Sequence, residues 1–160
     1  MSIGDHLTGD LTLNGEWEAV CEDLYAIFYG TFFESPVRFN GRKVICDKRK
    51  LDGSDKEEGF WHLITRKNGG VRVPDFDRSR KLAWVRIVLE RSPCEGVCCF
   101  RHQEGSGKWR IYIWLENHDY LVILEELDYV YKIVTTFCID DHNSWLRDDL
   151  AKKRLRAEII

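Results

Sequence analysis

The sequence predicts an α+β domain. Three features carry that expectation: two stretches with helical spacing of apolar residues, an Asn-Gly turn between short strand-like runs, and a late series of strands joined by hairpin-sized loops. The resulting order is helix, hairpin, strand, helix, three-stranded meander, helix. A doubly wound sheet alternates strand and helix throughout, so that class is excluded.

Residues 16–34 place Trp17, Val20, Cys21, Leu24, Ile27, Phe28 and Phe32 at spacings of three and four, which predicts an amphipathic helix. Asn14 is the expected N-cap, Glu16 and Glu18 suit the positive end, and Ser35-Pro36 stops the helix. Asn40-Gly41 then joins two short strands, because that pair supplies the positive φ angles of a type I′ turn. The polar stretch 47–58 reads as a mobile loop. Residues 60–66 read as a strand closed by Asn68-Gly69-Gly70. Helical spacing returns over 77–91, with Leu82, Val85 and Leu89 on one stripe. Strands are expected at 109–115, 120–124 and 129–139, with an earlier one at 97–101. The last helix, 144–158, is acidic early and basic late, as the helix dipole favours. One domain over 1–160 is expected, made of a helix and hairpin at 14–46, a central unit at 59–140 and the closing helix.

Composition narrows the class. An apolar fraction of 44% and a charged fraction of 32% belong to a globular chain, and no apolar run approaches membrane-span length. The N-terminus lacks the pattern of a secretory signal, so the six cysteines are expected to be reduced thiols in the cytoplasm. A net charge of −3 argues against non-specific coating of nucleic acid, but residues 60–91 hold eight basic side chains against three acidic ones. A local positive region of this kind can grip one or two phosphates.

Within it, His62 and Arg66 lie four residues apart on the expected strand and leave the same face. Arg78 and Arg80 follow near the start of the next helix. A histidine that shuttles protons at neutral pH beside fixed cations is what transfer of a phosphodiester to a 2′-hydroxyl requires, and arginines can hold the phosphorane charge without a metal. Tyr120, Tyr131, Thr135 and Thr136 on the late strands are further hydrogen-bond donors, and adjacent Thr135 and Thr136 point to opposite faces so that only one can serve. Cys94, Cys98, Cys99 and His102 have the composition of a zinc site, but adjacent Cys98 and Cys99 diverge on a strand; packed thiols are the expectation, with no metal and no cofactor. Trp61 and Trp84 are near the basic cluster and could stack bases, although Trp17, Trp84 and Trp145 fit helix core faces.

The stretch 60–140 resembles the BECR group (barnase, EndoU, colicin and RelE-like ribonucleases), especially its phage-associated barnase-like branch. The matching pieces are His62 with Arg66, Asp77-Arg78-Ser79-Arg80 leading into Trp84-Val85-Arg86-Ile87, and a final strand running from Tyr131 to Phe137. The resemblance implies an antiparallel sheet packed on one face by helices, with the site on the other. It implies His62 as acid/base, Arg66 and Arg78 or Arg80 as phosphate ligands, and Thr136 as the hydroxyl donor. A lysine often accompanies the histidine in the group, and Lys67 is the one nearby. Tyr120 and Tyr131 would help orient a nucleotide. The partners implied are RNA and, for a toxin, a cognate acidic inhibitor or antitoxin, with no membrane involved. Two other readings predict different chemistry. A non-catalytic prophage-type protein would use the fold to bind a protein or nucleic-acid partner, and a structural module would pair Arg66 and Arg78 with Asp75, Asp77 or Glu90.

Overall fold

Seven strands of the computed structural model, which describes residues 1–160, form one curled and mostly antiparallel sheet, and helices pack on it. The chain is α+β, as expected. Helix α1 spans Trp17–Tyr29 and buries Val20, Cys21, Leu24 and Phe28, the stripe that the spacing marks out. Its N-cap is Glu16, without a side-chain bond, in place of Asn14. The last part of the expected helix is a π-helical turn at Gly30–Glu34, which ends before Pro36. Strands β1 (Arg38–Phe39) and β2 (Arg42–Ile45) form the expected hairpin, with positive φ at Asn40 and Gly41 as a type I′ turn needs.

The next element corrects the sequence reading. Residues 58–64 are a helix, α2 (Glu58–Ile64), and the strand β3 (Thr65–Asn68) begins only after it. Phe60, Leu63 and Ile64 are all buried, and their spacing of three and four satisfies a helical face as well as the aromatic and β-branched content suits a strand. The helix start lies hard against the end of β2: a Cβ on Gly59 would stand 2.9 Å from both the Asp47 nitrogen and the Cys46 Cβ. Loop 47–57 is tied down at that point. The carboxylate of Glu57 is buried, receives both contacts of the Tyr25 hydroxyl (2.7 and 3.0 Å) and pairs with Lys50 at 2.7 Å.

Strand β4 (Val71–Pro74) returns antiparallel to β3, with Lys67 opposite Arg72. The helix expected at 77–91 is two helices, α3 (Phe76–Arg80) and α4 (Trp84–Arg91). The N-terminal segment accounts for the break. The Leu11 N–H takes the Arg80 carbonyl at 2.8 Å, and the indole N–H of Trp84 bonds the Thr8 carbonyl at 2.8 Å, so the α3 end is satisfied from outside.

Strands β5 (Cys98–Gln103), β6 (Trp109–Leu115), β7 (Tyr120–Glu126) and β8 (Tyr131–Cys138) form the antiparallel meander. Strand β2 adds to β8 in parallel. Alternation along the strands splits the core. Ile111, Ile113, Leu115, Val122 and Leu124 face α1, α2 and α4, whereas Tyr112, Trp114, Leu121 and Ile123 face helix α5 (Trp145–Leu155) through Leu146 and Leu150. The resemblance left that second face to the site; here α5 covers part of it. The chain does not stay helical to 158: strand β9 (Glu158–Ile159) pairs with β5. No helix is long and apolar enough to cross a membrane.

Candidate functional site

The end of α2, the β3–β4 hairpin, α3 and β8 meet at one knot of polar side chains. His62 sits in the last turn of α2, half-buried, with its Nε2 3.1 Å from an Nη of Arg72 on β4. A guanidinium only donates, so Nε2 is the acceptor and the ring proton of the neutral imidazole is on Nδ1. Burial first, and the Arg72 charge second, hold the His62 pKa below the usual histidine value. Both effects favour the neutral ring. Arg72 also donates to the Thr65 hydroxyl at 3.1 Å, which itself donates to the Trp61 carbonyl.

Arg78 closes the knot from α3. Its side chain is only 10% exposed, and its Nε faces Asp75 at 3.2 Å. One Nη lies 3.1 Å from the Thr65 carbonyl and 3.4 Å from both the His62 carbonyl and the Thr135 hydroxyl. The guanidinium stands over the Phe137 ring, 4.5 Å from its centroid. Arg78 therefore ties α3 to the α2–β3 junction and to β8, which is distant in the sequence. Asp75 caps α3 by accepting the Arg78 backbone N–H at 3.0 Å, so one carboxylate fixes both ends of that residue.

Beside this knot lies a cleft of about 470 Å³. It is lined by Arg66, Lys67 and Asn68 of β3, by Asp75, Asp77 and Arg78 at α3, and by Cys138, Asp140, His142 and Asn143 from the end of β8 onward. Arg66 is 54% exposed and only loosely paired with Asp75, at 3.9 Å. The cleft is almost wholly polar, and burial pushes the Cys138 thiol up to about 12, so that sulfur stays protonated.

The expected residues thus fall into three groups. His62 and Arg78 share the knot; Arg66 and Lys67 share the cleft, which Arg78 also lines. Arg80 is turned away, paired with Asp77 at 3.5 Å beside the groove of Leu13, Trp17 and Phe76. Thr136 is 1% exposed on the helix-covered face, and it is the neighbouring Thr135 that reaches Arg78. Tyr120 is fully buried with its hydroxyl unpartnered, and burial raises its phenol pKa. Tyr131 is buried against Phe39 with Arg42 over its ring. As placed, these two tyrosines and Thr136 do not reach a surface ligand.

His62 and Arg66 do not share a face, because the helix–strand boundary falls between them. Arg72 belongs to the basic excess at 60–91, and periodicity alone gives it no role; a strand after Gly70, paired in the register of a two-residue turn, places it opposite Lys67. His142, Asp140 and Asn143 carry no signal in the sequence. Arg78–Asp75 and the looser Arg66–Asp75 pair match the structural-module reading, whereas Glu90 pairs with Arg86. The cysteines diverge: Cys99 enters the main core and Cys98 the face under α5, and no three His, Cys, Asp or Glu side chains cluster in a way that could hold a metal ion. Comparison with protein-family models, curated proteins and solved structures returns no match.

Proposed function

We propose that this chain is a metal-independent endoribonuclease of the BECR type, working through His62, Arg72, Arg78 and Thr135. The observation that carries the reading is the 3.1 Å contact of a half-buried, neutral-leaning His62 with the Arg72 guanidinium, beside Thr135 and Arg78. A neutral imidazole accepts the proton of the RNA 2′-hydroxyl. The 2′-oxygen then bonds to phosphorus, and the bond to the 5′-oxygen breaks. The 5′-oxygen takes its proton from solvent, leaving a 2′,3′-cyclic phosphate and a 5′-hydroxyl. Arg72 turns from His62 to the phosphate, where its fixed charge offsets the charge that develops on phosphorane oxygens. Arg78 is a positioning residue: its bonds hold the α2 end and Thr135 in place. A toxin of this kind would be held in check by a partner presenting carboxylates to Arg66, Lys67 and Arg72.

The test is incubation of single-stranded RNA with wild type, His62→Ala and Arg72→Ala in EDTA, with end-group analysis of the products. Wild-type cleavage to cyclic phosphate ends, reduced at least about 100-fold in both variants, is expected. Equal cleavage by His62→Ala, or none by wild type, overturns the assignment.

One observation favours the second reading, a non-catalytic binding protein. The Nε and one Nη of Arg78 are taken by protein groups, and Arg72 occupies the His62 nitrogen. On that reading His62→Ala leaves partner binding intact, and expression of wild type does not arrest growth.

A further inference from the structure

One flank of α1 borders a groove that none of the knot residues lines. A hollow of about 280 Å³ is lined by Leu13, Trp17, Val20, Phe76 and Arg80, and a second of about 160 Å³ shares Leu13 and Val20 with it and continues over Leu24 to Ile27. From Trp17 to Ile27 the helix rises about 15 Å at 1.5 Å per residue, and the groove follows it over that distance. The floor is apolar, and at one end the half-exposed Phe76 stands edge-on to Trp17 with ring centroids 5.7 Å apart. Val20, Asp23 and Ile27 recur at spacings of three and four, so the Asp23 carboxylate shares a helix face with two floor residues, and Glu16 precedes Val20 by one turn. Both acids are exposed with no cation within ion-pair distance, whereas Glu22 on the other side of the helix has Lys56 at 2.6 Å and Arg80 has Asp77. The groove is an apolar strip edged by two uncompensated carboxylates.

The outer face of α5 carries the opposite pattern. Lys152, Leu155 and Arg156 fall at spacings of three and four, all three are exposed, and Leu155 is 86% exposed. No carboxylate lies within ion-pair distance of Lys152 or Arg156, whereas Lys153 and Arg154, turned to the sheet, hold Glu104, Asp149 and Glu116. A single exposed leucine is ordinary. This one sits between two uncompensated cations, and the uncompensated carboxylates that match them edge an apolar floor elsewhere on the same chain. The two surfaces cannot meet within one chain, because α1 packs in the core on one face of the sheet and α5 in the core on the other.

We infer that the groove along α1 takes the end of α5 from a second copy of this chain, with Leu155 on the apolar floor and Lys152 and Arg156 at Asp23 and Glu16. The two surfaces are unlike, so the contact is head-to-tail, and a joined pair still offers a groove at one side and an α5 end at the other. Neither surface contains His62 or Arg72, so this contact stands apart from the ribonuclease reading.

The experiment is sedimentation equilibrium of the full chain at low salt, where charge attraction is least screened, carried to about 1 mM because an interface of this size belongs to the weak class. Glu16→Lys/Asp23→Lys reverses the charge of the groove, and Lys152→Glu/Arg156→Glu reverses that of the α5 end. The apparent mass of wild type is expected to rise with concentration past that of two chains. Each two-site variant sets like charges opposite each other and weakens association at least about tenfold. The four-site variant carrying all these changes restores the match, and with it association within about threefold of wild type, which neither misfolding nor a general charge effect would produce. Leu155→Ser weakens association without changing charge. A wild type that stays monomeric, association unaltered in either two-site variant, or a four-site variant as weak as those two overturns the inference. If wild type stays monomeric while a lysine–leucine peptide shifts the NMR methyl signals of Val20 and Ile27, the groove belongs to a different basic partner and the second copy is excluded as its occupant.

Discussion

Replacing Arg78 with methionine tests whether its guanidinium is part of the scaffold. The substitution keeps most of the side-chain volume over the Phe137 ring and removes every polar contact. Asp75, mostly buried, loses its partner at 3.2 Å and keeps only the backbone N–H of residue 78 and Arg66 at 3.9 Å. Removing one member of a buried ion pair costs about 3–5 kcal/mol, because the other charge remains desolvated. The carbonyls of Thr65 and His62 lose a donor at 3.1 and 3.4 Å, each worth about 1 kcal/mol at most where water can replace it. These contributions overlap, since one group makes them all, so the expected loss is about 3–5 kcal/mol and not their sum. With a urea slope of about 2 kcal/mol/M, the midpoint falls by roughly 1.5–2.5 M. Equilibrium urea unfolding followed by tryptophan fluorescence and far-ultraviolet dichroism measures it. A loss below about 1 kcal/mol refutes the reasoning and would mean that Arg78 is free to serve a ligand instead of the fold.

Two further outcomes follow from local geometry. The pKa of His62 is lowered in the folded chain, so the unfolded chain binds more protons below pH 6.5 and stability falls as pH drops from that value through the folded pKa. An NMR titration should show His62 titrating below 6.5, with the acid-side slope of stability reduced in His62→Gln; a His62 titrating above 6.5 contradicts the burial and the Arg72 contact together. Gly59→Ala should cost about 1–3 kcal/mol, because the added methyl meets backbone and Cβ atoms at 2.9 Å, where no flexible side-chain end can give way; a thermal midpoint unchanged within about 1 °C would show that α2 shifts freely against β2.

The parts of the fold legible in the sequence are those set by local chemistry. Asn40-Gly41 needs positive φ whatever surrounds it, and α1 has its apolar stripe within one element. Residues 60–66 are not legible because the same apolar residues satisfy both periods, and only the packing of α2 on β8 and against Cys46 and Asp47 decides between them. The break between α3 and α4 depends on Leu11, far away in the chain. Strand β9 is likewise set by its pairing with β5. The site shows the same division. The basic excess at 60–91 marks the region, and His62, Arg66, Lys67 and Arg78 all line the knot or the cleft there. Choosing Thr135 over Thr136 requires the position of the α2 carbonyl end, since alternation alone makes the two equivalent.

The β3–β4 hairpin connects the knot to the cleft, and its register decides what each receives. Thr65 and Lys67 share a face with Arg72 and Pro74, while Arg66 and Asn68 share the other with Val71 and Val73. A slip of β4 by one residue would exchange Arg72 for a valine at His62. What prevents it is the two-residue turn at Gly69 (φ +61) and Gly70 (φ +84), a conformation that glycine adopts without strain and most other residues do not. The two glycines thus determine which cation meets the imidazole. A charge excess that composition alone describes as a patch thus becomes, through one turn, a guanidinium set against the imidazole, where the proposed reaction needs it.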